Sequence, residues 1–392
     1  MTDPADPGHP QPSAVERARA IFVRDHEHEP TLVVRAPGRV NLIGEHTDYN
    51  RGFSLPMALP FDVAIAAVPA SGNRIEAYSE GFGAASVAIE DDPHTTDGWA
   101  RYLHGTAHLL GADGHKVAGW TGVLTTDIPT GASLSSSAAL EVAGALTTLA
   151  AAGATADAHT LARIGQRVEN EIMGLPSGIL DQLASAASER GKAALIDFDT
   201  LDVRTVQLPD SATIVIMDSG TRRELVDSEY AARRQSCETA ATQLGIESLR
   251  NATEHMIEAL DDDVLHRRAR HVVTENERTL AAVAAFESGD LIKAGELMVA
   301  SHASLRDDYE VTGPATDLIV EIANTAPGCF GARMTGGGFA GGTVALVERD
   351  AVDEFIAYMA ATYAAPPEQP ATEPVAFWPV TACQGAEVID QP

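Results

Sequence analysis

The 392-residue chain has little cysteine, little lysine and no long apolar run. Its three cysteines, Cys237, Cys329 and Cys383, lie far apart and are odd in number. That usage fits a reduced, cytoplasmic protein better than a disulfide-stabilised fold. No apolar stretch reaches the length of a membrane-spanning helix. The first residues, MTDPADPGHPQPSAVER, contain neither a basic start nor an apolar segment, so they predict a short disordered lead and not a secretory signal.

Positive charge is also scarce. The chain has 27 lysines and arginines against 56 acidic residues, a net charge of −29, and its only lysines are Lys116, Lys192 and Lys293. Such an acidic surface argues against nucleic acid or an anionic membrane as the main partner. A local pocket can still be positive, so a small anionic ligand remains compatible with this composition.

The sequence pattern changes along the chain, and 392 residues are enough for two domains. Strand signals at 31–35 and 62–68 mix with an Ala- and Leu-rich helix predicted over 139–153 and ended by glycine. From 228 to about 305 the apolar spacing predicts helices, and strands return in the glycine-rich region beyond. We predict an α+β fold with domains over 20–205 and 206–392.

The first stretch that carries chemistry is GRVNLIGEHTDYNRG, residues 38–52. An apolar run leads into Glu45, His46 and Asp48, which predicts a turn at the end of a buried strand. Two carboxylates and an imidazole can bind hydroxyls, a proton or a metal. The metal interpretation lacks a recognisable ligand spacing, and an ordinary surface loop is a further alternative.

The second stretch is PTGASLSSSAALEVAG. Small side chains around Gly131 let backbone N–H groups approach a ligand, and three consecutive serines precede a helix whose positive dipole end points to the same place. The combination predicts an anion site that suits phosphate. It is not a Walker A loop, and the protein-kinase signatures are missing from the sequence. The alternative is a simple helix cap.

Two further stretches complete the set. RMTGGGFAGG holds five glycines between Gly336 and Gly342, which indicates unusual backbone angles or close backbone contact, either as a structural loop or as a support for the phosphate site. In RVENEIMGLPSGILDQLAS, Asp181 follows a Pro-Ser-Gly break. It is interpreted either as a residue of a first helical turn or as a general base.

Together, and in this order, these motifs resemble the GHMP small-molecule kinase superfamily, and the EHTDY element resembles its galactokinase family. The resemblance covers roughly residues 35–347 and includes WARYLHG, GILDQ, SEYAARR and SLRDDYEV. It implies an N-terminal domain like domain 2 of ribosomal protein S5, a ferredoxin-like C-terminal domain and an active site in the cleft between them. ATP would phosphorylate the anomeric hydroxyl of α-D-galactose to give galactose 1-phosphate.

The resemblance also implies roles for individual residues. Asp181 would be the base, and Arg39 would lie beside it, although a structural salt bridge is the alternative for this pair. The implied sugar-binding residues are Glu45, His46, Thr47, Asp48, Gly178 and Tyr230. The implied phosphate loop is Gly131, Ala132, Ser133, Leu134, Ser135, Ser136 and Ser137. Ser137 and Glu169 would hold Mg²⁺, and Trp99 and Tyr102 would lie near the adenine unless they only pack in the core.

Two positions depart from the family pattern. Ser133 stands where the superfamily usually has glycine, and Ala340 interrupts the last glycine motif. Two other functions stay open: a kinase of a related sugar such as N-acetylgalactosamine or arabinose, and a silent sugar and ATP sensor that binds a transcriptional regulator. The intact Asp181, Arg39 and serines favour an enzyme. The expected partners are galactose and ATP, without nucleic acid or membrane, in a monomer or weak dimer.

Overall fold

The computed structural model describes residues 12–129, 131–222, 226–339 and 341–390. These residues form 13 β-strands and 11 α-helices, which confirms the α+β class. The strands are Leu32–Asn41 (β1), Phe53–Ser54 (β2), Pro56–Pro69 (β3), Arg74–Ser79 (β4), Gly83–Ala88 (β5), Trp120–Thr126 (β6), Lys192–Asp197 (β7), Val203–Gln207 (β8), Ala212–Asp218 (β9), Cys329–Met334 (β10), Gly342–Glu348 (β11), Ala376–Val380 (β12) and Glu387–Asp390 (β13). The helices are Ala14–His26 (α1), Ala100–Ala112 (α2), Ser136–Ala151 (α3), Ala158–Arg167 (α4), Leu180–Ala187 (α5), Val226–Leu244 (α6), Glu254–Ile257 (α7), Asp263–Ser288 (α8), Leu291–Asp307 (α9), Pro314–Ala323 (α10) and Val352–Thr362 (α11).

The first half of the chain is built on a six-stranded sheet in the order β13-β1-β3-β6-β4-β5. All ten residues of β1 are buried, because β3 and β13 pair with its two edges and α3 packs on its face. Helix α3 is buried along most of its length, as its Ala- and Leu-rich sequence predicts. The first motif therefore begins in a strand that the core holds rigidly.

The second half contains a four-stranded sheet in the order β10-β11-β9-β12, with α9 packed against β10. A Cβ atom at Gly295 of α9 would lie 2.0 Å from the carbonyl oxygen of Phe330, so glycine permits this close approach. Strands β2, β7 and β8 form a small third sheet. Helices α6 to α9 occupy the region between 228 and 305 where the apolar spacing predicted them.

The start of the chain differs from the prediction. The disordered lead was expected through residue 17, but α1 begins at Ala14. Ser13 and Glu16 form a capping box, in which the Ser13 side chain accepts from the Glu16 N–H and the Ser13 N–H donates to Glu16. The Ser-x-x-Glu spacing was the signal for this helix start. Residues 1–11 lie outside the described part of the chain.

The division at 205/206 stays a prediction. Strand β13, the last in the chain, pairs with β1, so the end of the chain returns to the first sheet. Among the helices described, none combines the length and the apolar character that crossing a membrane would take.

Candidate active site

Two adjoining cavities bring the motifs together. The first has a volume of about 280 Å³ and is lined by Arg39, Glu45, His46, Asp48, Ser137, Glu169, Leu175, Pro176, Ser177, Gly178, Leu180, Asp181, Tyr230, Gly336 and Gly337. The second has a volume of about 400 Å³ and is lined by Arg39, Pro129, Gly131, Ser133, Leu134, Ser135, Ser136, Ser137, Asp181, Arg222, Gly337 and Gly338. Arg39, Ser137, Asp181 and Gly337 belong to both walls. A ligand group in one cavity would therefore meet a ligand group in the other at these residues.

Arg39 and Asp181 form a two-pronged ion pair at this junction. The Arg39 Nε and Nη2 atoms donate to the two carboxylate oxygens of Asp181 at 2.7 and 2.9 Å, which is the strong fork geometry. Arg39 Nη1 donates to the Ser133 carbonyl oxygen at 2.7 Å, and the Ser135 hydroxyl donates to Asp181. The Asp181 side chain is still 34% exposed. The carboxylate is thus held in place and remains open to a ligand.

Glu45 connects the first motif to the glycine-rich third motif. Its Oε1 atom accepts hydrogen bonds from the Gly336 N–H at 2.8 Å, the Thr335 hydroxyl at 3.1 Å and Arg333 Nη1 at 3.4 Å. Its Oε2 atom accepts from the Asn41 side-chain amide at 2.8 Å. Protein groups therefore supply donors to both carboxylate oxygens of Glu45, which is buried at the wall of the first cavity.

Asp48 is the contrasting carboxylate of the same loop. A Cβ atom at position 178 would lie 1.6 Å from Asp48 Oδ2, so only glycine leaves room for this side chain. Burial, followed by repulsion from Asp181 and Glu45, raises the pKa of Asp48 to about 7. Tyr230 of α6 faces the same wall, and burial followed by the charge of Asp48 raises the pKa of its phenol well above the usual value.

His46 and Thr47 have different surroundings. The His46 ring lines the first cavity, with Nδ1 at 2.8 Å from the Tyr49 hydroxyl and Nε2 at 3.1 Å from the Gly337 carbonyl oxygen. Burial, followed by repulsion from His271, lowers the pKa of His46 to about 3. The Thr47 hydroxyl is fully buried, 2.9 Å from the Gly44 carbonyl oxygen and 2.8 Å from that of Phe53. Thr47 is outside both cavity walls, where it shapes the turn.

Residues Gly131 to Ser137, which the second motif predicts to be a phosphate loop, lie directly before and at the start of α3. Gly131, Ser133 and Ser135 have φ angles of 74°, 60° and 60°, so the loop takes the left-handed conformation three times. This backbone costs Ser133 about 1–3 kcal/mol of strain that glycine would avoid. Helix α3 directs its N-terminus towards the second cavity, where its dipole favours an anion.

Glycines of the third motif let it pack on this loop. A Cβ atom at Gly336 or at Gly342 would lie 3.2 Å from the Cβ atom of Ser133. Gly337 also lines both cavities, so the motif supports the phosphate loop and forms part of the wall. The other departure from the family pattern, Ala340, falls outside the described residues.

Arg222 is a cavity residue that the sequence did not single out. It lines the second cavity, where the space left by Gly131 accommodates its guanidinium group: a Cβ atom there would lie 2.4 Å from Arg222 Nε. Two hydrogen bonds of 2.9 and 2.8 Å hold it against Asp218. One arginine among many carries no local signal, because only the fold brings residue 222 next to residue 131.

Ser137 and Glu169 form the group that could hold a cation. The Ser137 hydroxyl donates to Glu169 Oε1 at 3.2 Å, and Ser177, which was also missed, donates to the other carboxylate oxygen. Burial raises the pKa of Glu169. The described residues contain no cluster of three or more His, Cys, Asp or Glu that could hold a metal alone. Two oxygen ligands fit a Mg²⁺ ion whose other ligands are phosphate oxygens and water.

Trp99 and Tyr102 lie apart from the other predicted site residues. Trp99 precedes α2 and Tyr102 lies in its first turn, and both are partly buried against the core of the first half. Neither belongs to the wall of either cavity. Their contact with an adenine stays a prediction.

The sequence was compared with known proteins. It matches the galactokinase galactose-binding signature over residues 20–69, the GHMP kinases N terminal domain over 101–189 and the GHMP kinases C terminal region over 282–365. It is 44% identical to a galactokinase of Chloroflexus aurantiacus over 88% of this chain and 91% of that protein, and 45% identical to one of Mycobacterium bovis over 82% and 90%. The crystal structure of Lactococcus lactis galactokinase complexed with galactose superposes with a TM-score of 0.86 at 34% identity, covering 94% of this chain and 98% of that one.

Asp48 should make the stability of the ligand-free protein depend on pH. Its folded pKa of about 7 exceeds the usual 3.8, so between these pH values the folded state binds more protons and the free energy of unfolding falls as pH rises. Asp48→Asn removes this loss. We expect the difference in the free energy of unfolding, variant minus wild type, to increase by about 1–2 kcal/mol from pH 5 to pH 8, as measured by urea unfolding. Asp199→Asn, at an exposed position nearby, is the control, and an equal difference at both pH values would contradict the assignment.

Proposed function

The chain belongs to the galactokinase family of the GHMP kinases and phosphorylates galactose with ATP, and we propose that the two adjoining cavities are where this reaction occurs. The observation that carries the proposal is the Asp181 carboxylate, which Arg39 and Ser135 hold at the wall shared by both cavities. Galactose would occupy the cavity lined by the first motif. The phosphates of ATP would occupy the cavity lined by the phosphate loop.

Asp181 is positioned to act as the general base. The anomeric hydroxyl would give its proton to the Asp181 carboxylate as its oxygen forms a bond to the γ-phosphorus, while the bond from that phosphorus to the ADP oxygen breaks. Arg39 keeps Asp181 oriented towards the junction and places positive charge beside the moving phosphoryl group. Phosphoryl transfer relies on such positioning and charge neutralisation more than on covalent chemistry.

The sugar cavity presents two carboxylates, Glu45 and Asp48, and side-chain as well as backbone donors of the protein bind Glu45. Glu45 lines the wall but already accepts hydrogen bonds from protein donors. Its main role would be to fix the loop of residues 45–48 in the conformation that faces the sugar. Asp48, beside Gly178 and Tyr230, would accept hydrogen bonds from neighbouring sugar hydroxyls. A sugar with one hydroxyl inverted would leave a buried polar group unpaired, which is the physical basis for discrimination. His46 adds a neutral ring to the same wall, and Thr47 holds the turn behind it.

The second cavity would bind the nucleotide phosphates. Gly131, the residues from Ser133 to Ser137 at the N-terminus of α3, and Arg222 line this space. Ser137 and Glu169, where the cavities adjoin, would hold Mg²⁺ together with phosphate oxygens. When bound, Mg²⁺ supplies positive charge that neutralises the transferring phosphoryl group.

Other features of the molecule support the remaining proposals. Cys237, Cys329 and Cys383 form no disulfide, which supports a reducing, cytoplasmic location. The net charge of −29 supports partners other than nucleic acid and anionic membranes. We further propose domains over 20–205 and 206–392, and a monomer or weak dimer.

A sugar panel tests the proposed function directly. ADP release should be measured with Mg²⁺ and ATP for galactose, glucose, N-acetylgalactosamine and arabinose. We expect a specificity for galactose over glucose of at least about a hundredfold, close to 3 kcal/mol. Preference for another sugar would indicate the related-sugar kinase. Binding of galactose and ATP without galactose 1-phosphate would indicate the silent sensor.

Asp181→Asn should lower turnover by about 10²–10⁴-fold, because it keeps the shape of the side chain but removes the proton acceptor. Galactose should still bind, since Glu45 and Asp48 are unchanged. Single-turnover phosphorylation and galactose titration measure the two effects separately, with Asp199→Asn as the control. Turnover close to that of wild type would rule out Asp181 as the base.

Glu169→Gln should raise the Mg²⁺ concentration needed for half-maximal turnover about tenfold or more, because a charged oxygen ligand becomes a neutral one. Galactose affinity should change little. Glu171→Gln is the matched control, because Glu171 lies on the same helical turn but is exposed and pairs with Arg167. If both variants show the same Mg²⁺ dependence as wild type, Glu169 does not bind the metal.

A further inference from the structure

A line of hydrogen bonds runs from a buried cysteine to the wall of the sugar cavity. The Cys237 Sγ atom lies 3.0 Å from the Tyr309 hydroxyl, which lies 2.8 Å from the Tyr49 hydroxyl. The Tyr49 hydroxyl lies 2.8 Å from His46 Nδ1, and His46 Nε2 lies 3.1 Å from the Gly337 carbonyl oxygen. The proposed reaction uses none of these hydrogen atoms.

The chemistry of the last member fixes the direction of the whole line. A carbonyl oxygen can only accept, so His46 Nε2 must carry a hydrogen atom. In a neutral imidazole Nδ1 is then an acceptor, and Tyr49 must donate to it. The Tyr49 oxygen is left to accept from Tyr309, whose oxygen accepts from the Cys237 thiol. The thiol, the two phenols and the imidazole each carry one polar hydrogen atom, and each donates it to the next group in the line.

Burial keeps every member of this line neutral. The pKa of His46 is lowered to about 3, and that of His271, whose ring packs on Tyr309, is lowered to about 4, in both cases mainly by burial. Burial raises the pKa of Cys237 to about 11 and the pKa values of Tyr49 and Tyr309 well above 10. The imidazole therefore stays uncharged, and the thiol and phenols keep the hydrogens that the line requires.

We infer that His46 is the neutral Nε2–H tautomer, fixed by the Gly337 carbonyl oxygen, and that Tyr49 completes the arrangement by donating to Nδ1, which makes the pair a positioning device that ties the sugar-binding loop to the glycine-rich loop. His46 and Gly337 are 291 positions apart in sequence, and both line the first cavity. Glu45, the residue before His46, accepts a hydrogen bond from the Gly336 N–H. Two hydrogen bonds from adjacent residues therefore join the same two loops. The role in sugar binding rests on the proposed function, whereas the tautomer does not.

The opposite tautomer would break this connection. With its hydrogen on Nδ1, His46 would present an Nε2 lone pair to the Gly337 carbonyl oxygen, and two acceptors repel each other. His46 also has a φ angle of 60°, a strained conformation that persists only where surrounding contacts enforce it. Loss of the Tyr49 hydroxyl would leave the His46 Nδ1 lone pair without a donor, which would loosen the wall of the sugar cavity while leaving Arg39, Asp181 and the phosphate loop in place.

The tautomer can be measured directly by long-range ¹⁵N–¹H NMR on protein labelled at histidine, without sugar or nucleotide. His46 is assigned as the signal lost in His46→Gln. We expect neutral Nε2–H in wild type, in Tyr309→Phe, which keeps the Tyr49 hydroxyl, and in Tyr49→Phe, where the Nδ1 resonance alone should move to higher frequency because its lone pair loses the donated hydrogen bond. Tyr358→Phe, which removes a hydroxyl on α11, is the control. An Nδ1–H or charged His46 in wild type overturns the inference even if a variant fails to fold.

Kinetics supply the second readout. Tyr49→Phe should raise the KM for galactose about fivefold to tenfold, as expected for one lost buried hydrogen bond, with kcat and the KM for ATP within twofold of wild type. Tyr358→Phe should match wild type. Equal changes in both KM values, or an unchanged Nδ1 resonance in Tyr49→Phe, would overturn the positioning role. A wild-type protein with the expected tautomer but no phosphorylation of galactose would instead overturn the proposed function alone.

Discussion

The ion pair between Arg39 and Asp181 is the contact on which the arrangement of the site depends. Arg39 comes from a fully buried strand, so its guanidinium group has little freedom to move, and three of its nitrogen atoms are committed to Asp181 and Ser133. The pair thereby fixes helix α5 and the phosphate loop relative to β1. Because removing Asp181 would leave the charge of the buried Arg39 poorly solvated, the site tolerates change here less than on an exposed surface.

Close backbone approach, made possible by glycine, is the second constraint. Gly178 leaves space for the carboxylate of Asp48, Gly131 leaves space for Arg222, and Gly336 with Gly342 leaves space for Ser133. At each place a single Cβ atom would meet a functional side chain or the phosphate loop. The glycines thus let three pairs of distant segments pack closely against each other, which any larger side chain would obstruct.

Local patterns predicted what depends on neighbours in sequence. The α+β class, the buried helix before Gly153 and the position of Asp181 at a helix start all follow from spacing and composition, and the comparisons confirm the family. Arg222 and Ser177 could not be found in this way, since their significance comes from contacts across the fold. The capping box at Ser13 was visible in the sequence and was overlooked. The resemblance implied that Trp99 and Tyr102 lie near the adenine, but a local sequence does not distinguish packing in the core from a place in a cavity wall.

The two carboxylates of the EHTDY loop show how one short motif produces two different electrostatic environments. Glu45 accepts hydrogen bonds from four protein groups, whereas Asp48 is half-buried, and loss of solvation followed by repulsion from Asp181 and Glu45 raises its pKa to about 7. The ligand-free protein therefore holds Asp48 in an unfavourable environment, which nearby sugar hydroxyls could relieve by donating to it. A ligand that lacked a hydroxyl at the right position would not provide this relief. Under the proposed sugar binding, the selectivity of the cavity would follow from Asp48, and its shape follows from the hydrogen bonds that fix Glu45.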